Sequence, residues 1–171
     1  MEYRFVHHWQ YEPGEEENRI LEDAVTLTNK SRGACFLLEA ATFITRHTGV
    51  EYVMIGALTE DKSHIRTCAF LKGEEALDNV IYTLQGTPCE AVQTQGFCYF
   101  PFNVTKSFPD DRELQNLKIE SYLGRFLLSG TNEPIGTVAV MGTGPIERAA
   151  FAEHLIFVLS PAIEEELEKA I

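Results

Sequence analysis

The sequence predicts an α+β fold, an antiparallel sheet of about six strands with helices at both ends of the chain. Two observations carry the prediction. Sustained helical periodicity lies in the terminal stretches 15–47 and 146–171, and between them the period shifts to short β-branched and aromatic runs joined by turn residues. A third narrows it: the runs pair as neighbouring hairpins and do not alternate with helices as a parallel sheet would require.

Residues 1–14 read as an arm, mixing Tyr3, Phe5, Trp9 and Tyr11 with the punctuating Pro13-Gly14. The domain proper then spans 15–171. Over 15–47, Ile20, Ala24, Leu27, Ser31, Ala34, Leu38 and Ala41 follow at alternating steps of four and three, the spacing of a stripe that meets a partner helix. Leu21, Val25, Phe36, Leu37, Phe43 and Ile44 form a second apolar face suited to covering a sheet. One face on the sheet leaves the other to be buried elsewhere, and this predicts a homodimer through the terminal helices. Gly33 marks a kink inside one long helix, and Thr48-Gly49 its stop.

Residues 51–58 and 64–71 make the first hairpin around 59–63, and 79–84 is a third strand. Thr87, Pro88 and Glu90 then have the order of an N-cap, a first-turn proline and a capping-box acid, which predicts a short helix over about 88–95. A fourth strand, 97–101, follows Gly96. Asp110 and Glu113 make a second capping-box pair for a helix over 110–117. Residues 121–129 and 134–141 are the last hairpin, joined by 130–133. The acidic 146–171 helix carries Phe151, Leu155, Val158 and Ala162 on one stripe, with Pro161 expected to kink or break it. Its Glu164-Glu165-Glu166 run reads as a solvated face.

At 171 residues the chain suits one domain, and its 44% hydrophobic content is enough to bury a core. Fourteen basic residues against 26 acidic ones give a formal charge of −12. With no basic run, nucleic acid and anionic membrane surfaces are excluded as partners. No apolar stretch is long enough to span a bilayer, the first residues lack a signal-peptide pattern, and Cys35, Cys68, Cys89 and Cys98 are scattered. A cytoplasmic protein with reduced thiols is the expectation. His7, His8, His47, His64 and His154 have no metal-ligand spacing, so no metal site is expected and the cofactor is left unknown.

Five strings in fixed order carry a family resemblance: 82–90 (YTLQGTPCE), 98–101 (CYFP), 108–110 (FPD), 120–124 (ESYLG) and 134–136 (PIG). Together they resemble a GAF domain, specifically the subgroup in bacterial sensor kinases and cyclic-dinucleotide signalling proteins. The resemblance covers roughly residues 30–170. It implies terminal helices on one face of the sheet and a ligand pocket on the other, beneath short helices and loops. The chain departs from the subgroup at Arg125, where proline usually follows Tyr-Leu-Gly.

The pocket implied in this way has Cys89, Tyr99, Phe100, Phe102, Phe108, Tyr122 and Arg125 as candidate ligand-binding residues. Cys89 at the second residue of a helix gains from the N-terminal dipole, which favours a thiolate, although packing of a small residue explains the position more simply. The aromatics suit an apolar-walled site and suit a core equally well. Tyr122 offers a hydroxyl, and Arg125 a guanidinium for an anionic ligand at the rim. No catalytic set is identifiable. The resemblance implies a non-catalytic small-molecule or redox sensor that regulates an attached effector domain or a partner protein. The alternative is a GAF-fold free methionine sulfoxide reductase using cysteine chemistry. That group has a further essential Cys followed by Asp downstream, and this sequence has no Cys after Cys98.

Overall fold

The computed structural model describes residues 11–30, 32–33 and 35–170. Most of the expected N-terminal arm, with Tyr3, Phe5 and Trp9, lies outside the described residues. So do His7 and His8, and Ser31 and Ala34 of the heptad stripe. In chain order the elements are α1 (Glu15–Lys30), α2 (Phe36–Thr48), β1 (Tyr52–Leu58), β2 (His64–Lys72), β3 (Glu75–Ala76) and β4 (Ile81–Thr83). Then come α3 (Pro88–Gln95), β5 (Phe97–Phe100), α4 (Val104–Ser107), α5 (Arg112–Leu117), β6 (Ser121–Leu128), β7 (Pro134–Gly142) and α6 (Ala149–Ala170).

The strands form one antiparallel sheet in the order β3-β2-β1-β7-β6-β5, with β4 pairing β2 off this path. β1 is central, and all of its residues are buried. Its alternation divides the interior in two. Val53, Ile55 and Ala57 face a core shared with Ala24, Phe36, Ile44, Leu155, Leu159 and Ile163 of α1, α2 and α6. Tyr52, Met54 and Leu58 face a second core with Cys89 and Val92 of α3, Val104 of α4 and Leu114 of α5. The three long helices therefore cover one face and the short helices the other, as the family resemblance implies.

Four local expectations change. The 15–47 helix is two helices: Gly33 takes φ 120°, a conformation helices do not use, and the chain turns between α1 and α2. That turn redirects the heptad stripe. Ile20 and Ala24 are buried in the chain's own core and Leu27 packs against it, while Ala41 is buried on α2. Leu38 stays 44% exposed. The stripe is thus mostly satisfied within one chain, contrary to the surface-area reasoning behind the dimer. The helix does stop at Gly49, φ 73°, whose N–H donates to the Thr45 carbonyl.

The second change is at α5, whose N-cap is Asp111 and not Asp110: its carboxylate accepts the Leu114 N–H at 3.2 Å. At α3 Thr87 is the N-cap, but its hydroxyl donates to the Leu84 carbonyl at 2.6 Å and Glu90 accepts from the Gly86 N–H at 3.3 Å, so the capping box is not formed. Third, α6 runs unbroken through the exposed Pro161. Fourth, its acidic run is no simple solvated face. Glu166 is buried and accepts the Gly33 N–H at 2.8 Å, and Glu164 accepts the Leu128 N–H at 2.6 Å. The one-turn α4 and the two-residue β3 are further elements beyond the sequence reading. Asn103, in the left-handed region at φ 57°, opens α4, with its N–H on Glu120 at 2.8 Å.

Candidate functional site

Beneath α3 and α5, on the sheet face away from the long helices, lies a cavity of about 30 Å³. β1, β2, β6 and β7 floor it with Met54, Phe70, Tyr122 and Met141, and α5 roofs it with Leu114 and Leu117. It is a small space, enough for a water or two. Against it lies an open polar cleft of about 300 Å³ lined by Thr83, Gln85, Thr87, Asp110 and Arg112. Tyr82, Asp111 and Glu113 line both spaces and so form the partition between them.

Besides Thr67, Asp111 and Glu113, the walls are apolar but for one hydrogen-bonded chain. Tyr122 Oη is 3.1 Å from Cys89 Sγ, Cys89 Sγ is 3.2 Å from Tyr82 Oη, and Tyr82 Oη is 3.2 Å from Met54 Sδ. A thioether has no proton to give, so Tyr82 donates to Met54. With its one hydrogen used, Tyr82 accepts from the Cys89 thiol, and Cys89 in turn accepts from Tyr122. The chain has one direction, and every donor is used.

Burial holds these groups neutral. It pushes the Cys89 thiol up to about 11 and raises both tyrosines well above their ordinary value. Hydrogen bonding with Tyr122 and Tyr82 acts the other way on the thiol and loses to desolvation. The expected helix-favoured thiolate at Cys89 is therefore corrected. Cys89 does occupy the second position of α3, after Thr87 and Pro88, but there it is only 2% exposed. Burial also raises the Asp111 carboxyl, with the Leu114 and Glu113 N–H groups opposing it.

Strand alternation sorts the sequence candidates. Cys89 and Tyr122 line the cavity. Phe100 is buried in the same core behind it, edge-on to Tyr122 at 6.2 Å and to Phe108 at 5.4 Å, so Phe100 and Phe108 support the wall without forming it. Tyr99, adjacent on β5, points to the opposite face and packs against the long-helix core. Phe102 is exposed in the loop beyond.

Arg125 is also on the other side: three residues past Tyr122 on β6, it lies over the Phe157 ring of α6 at 4.8 Å. It is not a cation at the pocket rim. The glycine in Tyr122-Leu123-Gly124 has a local cause, because a Cβ at 124 would meet the Tyr122 hydroxyl at 2.8 Å. The ring lies across the strand where a side chain would stand.

Sequence reasoning missed Met54, Tyr82, Asp111 and Leu114 as site residues. Met54 and Leu114 carry no chemical signature that separates wall from core. Tyr82 was visible only as part of the string 82–90, and Asp111 stood one residue past the position taken as the cap. Among the described residues there is no group of three or more His, Cys, Asp or Glu able to hold a metal ion, and no helix is long and apolar enough to cross a membrane.

No family model matches the sequence, and no curated protein does. Solved structures do. The GAF domain of an Acinetobacter phosphoenolpyruvate-protein phosphotransferase superposes with a TM-score of 0.69 at 18% identity, covering 92% of this chain and 96% of its own. Free methionine-R-sulfoxide reductase from Neisseria meningitidis, solved with its substrate, gives 0.70 at 13% identity, over 99% and 100% of the two chains. The phycoerythrobilin-bound GAF domain of a cyanobacterial phytochrome gives 0.63 at 12% identity, over 93% and 100%. At these identities the likeness shows the fold: this chain has the GAF fold.

Proposed function

We propose that this domain is a non-catalytic sensor that takes a small molecule into the Tyr82–Cys89–Tyr122 cavity and relays its presence through the sheet to the long helices. The observation that carries this reading is a hydrogen-bonded polar chain inside a largely apolar cavity that adjoins a cleft. Apolar walls with a few placed polar groups are the composition of small-molecule sites. The cavity is small, about 30 Å³, so a ligand of ordinary size enters by parting Tyr82 from α5. β6 supplies the relay. It bears Tyr122 on the cavity face and Leu123 and Leu127 on the helix face, with Arg125 stacked on α6. An occupant that displaces Tyr122 biases how α6 sits. The effector is an attached domain or partner protein, in keeping with the bacterial signalling subgroup that the sequence strings resemble, and the setting is cytoplasmic.

A cysteine-based reductase is the weaker reading despite the Neisseria relative. The cavity thiol is buried and protonated at neutral pH, and no Cys follows Cys98. Native mass spectrometry of the purified protein tests the sensor reading. The expected result is a bound small molecule that is absent from Leu114→Trp, whose indole fills the cavity. Protein that carries no adduct and gains no thermal stability from a small-molecule library removes the reading.

The dimer remains part of the proposal on different ground. Val25, Leu38 and Phe157 are exposed, one on each of α1, α2 and α6. Burying each such side chain contributes roughly 1.5–3 kcal/mol at most, so the association is moderate. Leu38→Glu should move sedimentation of a wild-type dimer towards monomer without unfolding it. A wild-type monomer at tens of micromolar (about the range where such an interface would act) ends the dimer proposal.

A further inference from the structure

Three sulfur-bearing residues line the small cavity: Met54, Cys89 and Met141. The two thioethers are held differently. The Met54 sulfur accepts the Tyr82 hydroxyl at 3.2 Å, and among the described residues no such donor reaches Met141. Met54 is 4% exposed within β1, paired with Phe70 of β2 and Ala139 of β7. A buried tyrosine hydroxyl needs a partner, but a thioether is a weak one. Space for a water or two adjoins this pair. Tyr82 also lines the open cleft, so the donor to Met54 stands between the cavity and solvent. A weak acceptor, a committed donor and a small void together leave room for an added oxygen atom.

We propose that Met54 is an oxidation site: hydrogen peroxide enters the cavity and converts the thioether to a sulfoxide, whose oxygen then receives the Tyr82 hydroxyl. The inference rests on the cavity's size and hydrogen bonds, and it holds whether or not a larger ligand also binds. A lone pair on sulfur attacks one peroxide oxygen, and the O–O bond breaks as the S–O bond forms. The proton on the attacked oxygen passes to the departing one, which leaves as water. Sulfur loses two electrons and the peroxide gains them. Cys89 is the poorer target, because a thiol attacks as its thiolate and burial holds this one protonated. A thioether has no proton to lose, so the same burial does not disable it. The sulfoxide oxygen is a stronger acceptor than sulfur, and Tyr82 still accepts from Cys89. The chain from Tyr122 therefore keeps its direction, and the fold tolerates the modified residue. Sulfoxide is the reversible rung of methionine oxidation, as a switch requires. Its oxygen also fills space that an incoming ligand would need.

The test treats the full chain with hydrogen peroxide at neutral pH, quenches with catalase and reads each site by peptide mass spectrometry. Met54 should gain an oxygen on the order of tenfold faster than Met141, the value of one hydrogen bond to the forming S–O group. Cys89 should still be reduced at that point. In Tyr82→Phe the Met54 rate should fall to that of Met141. Both methionines line the same cavity, so a variant that merely opens or closes it moves both rates together. Loss of the hydroxyl moves Met54 alone. Thermal melts check that the variant folds, and the wild-type comparison stands even where it does not. Oxidised wild type should melt close to the reduced protein, and oxidised Tyr82→Phe clearly lower, because its buried sulfoxide lacks a donor. In denaturant the two methionines should react alike. Met141 or Cys89 oxidising before Met54, or a Met54 rate unchanged in Tyr82→Phe, overturns the proposal. So does a Met54 that reacts only once the protein unfolds, or a wild type that unfolds when Met54 is oxidised.

Discussion

Gly136→Ala is expected to destabilise the domain by about 3 kcal/mol, the upper end of what overpacking a core usually costs. The added methyl would stand 2.2 Å from the Gly56 carbonyl oxygen on the adjacent strand and 2.8 Å from Leu167 Cδ2 of α6. Leu167 can turn aside, but the Gly56 carbonyl belongs to β1 at the centre of the sheet, held on both sides by β2 and β7. The Gly136 carbonyl is itself held by the Gln93 side-chain amide at 2.8 Å, which ties β7 to α3 and resists a compensating shift. Relief therefore means separating strands or lifting α6. Gly130→Ala is the matched control: its new methyl would meet only a Glu168 oxygen, at 3.7 Å, and should change stability by less than about 0.5 kcal/mol. Urea unfolding of the two variants beside the wild type measures both. Equal stability of all three would mean that β1 and β7 do not approach as described.

The second large effect is kinetic. Cys35 is exposed just ahead of α2, whereas Cys89 is buried with its thiol raised to about 11. The thiolate is the reactive form, and the raised value alone lowers its share at neutral pH on the order of a hundredfold relative to an ordinary cysteine. Burial under α5 adds the cost of opening the site. Labelling with iodoacetamide at pH 7.5, read by peptide mass spectrometry, should modify Cys35 first, with Cys89 slower by at least about a hundredfold. Denaturant should bring the two rates together. Raising the pH towards 11 should narrow the gap, since an acid whose pKa is raised by folding ionises later in the folded state. Comparable rates in the native protein at neutral pH would mean that Cys89 is open to solvent and ionised.

Where the sequence was legible, single residues reported their own backbone requirement. Gly49 announced a left-handed helix stop, Pro88 a first helical turn, and the β-branched and aromatic run over 51–58 a strand. The two-faced sheet followed from the family resemblance. Three things escaped because they depend on partners distant in the chain. The α1–α2 break is fixed by Gly33 together with Glu166 from the far end of the sequence. The heptad stripe had the right spacing for a partner helix, but spacing cannot say whether that partner comes from another chain or from α6. In the site, the resemblance pointed to the sheet face that carries the small cavity and named Cys89 and Tyr122, which line it. It could not sort Tyr99 from Phe100, which differ by one step of pleat, or assign Arg125 to the α6 side. Tyr82 meets Cys89 and Met54 only through the fold.

The carboxylates along the last turns of α6 reach three separate places on the body of the domain. Glu164 grips the end of β6 at Leu128, Glu168 the following turn at Gly130, and Glu166 the α1–α2 corner at Gly33. A helix greased only by aliphatic side chains can creep by fractions of a turn. One latched to backbone N–H groups at three points cannot, because advancing a single residue, about 1.5 Å with a rotation of about 100°, carries all three carboxylates past their seats together. α6 is therefore notched: sliding it along its axis means breaking all three sets of bonds together.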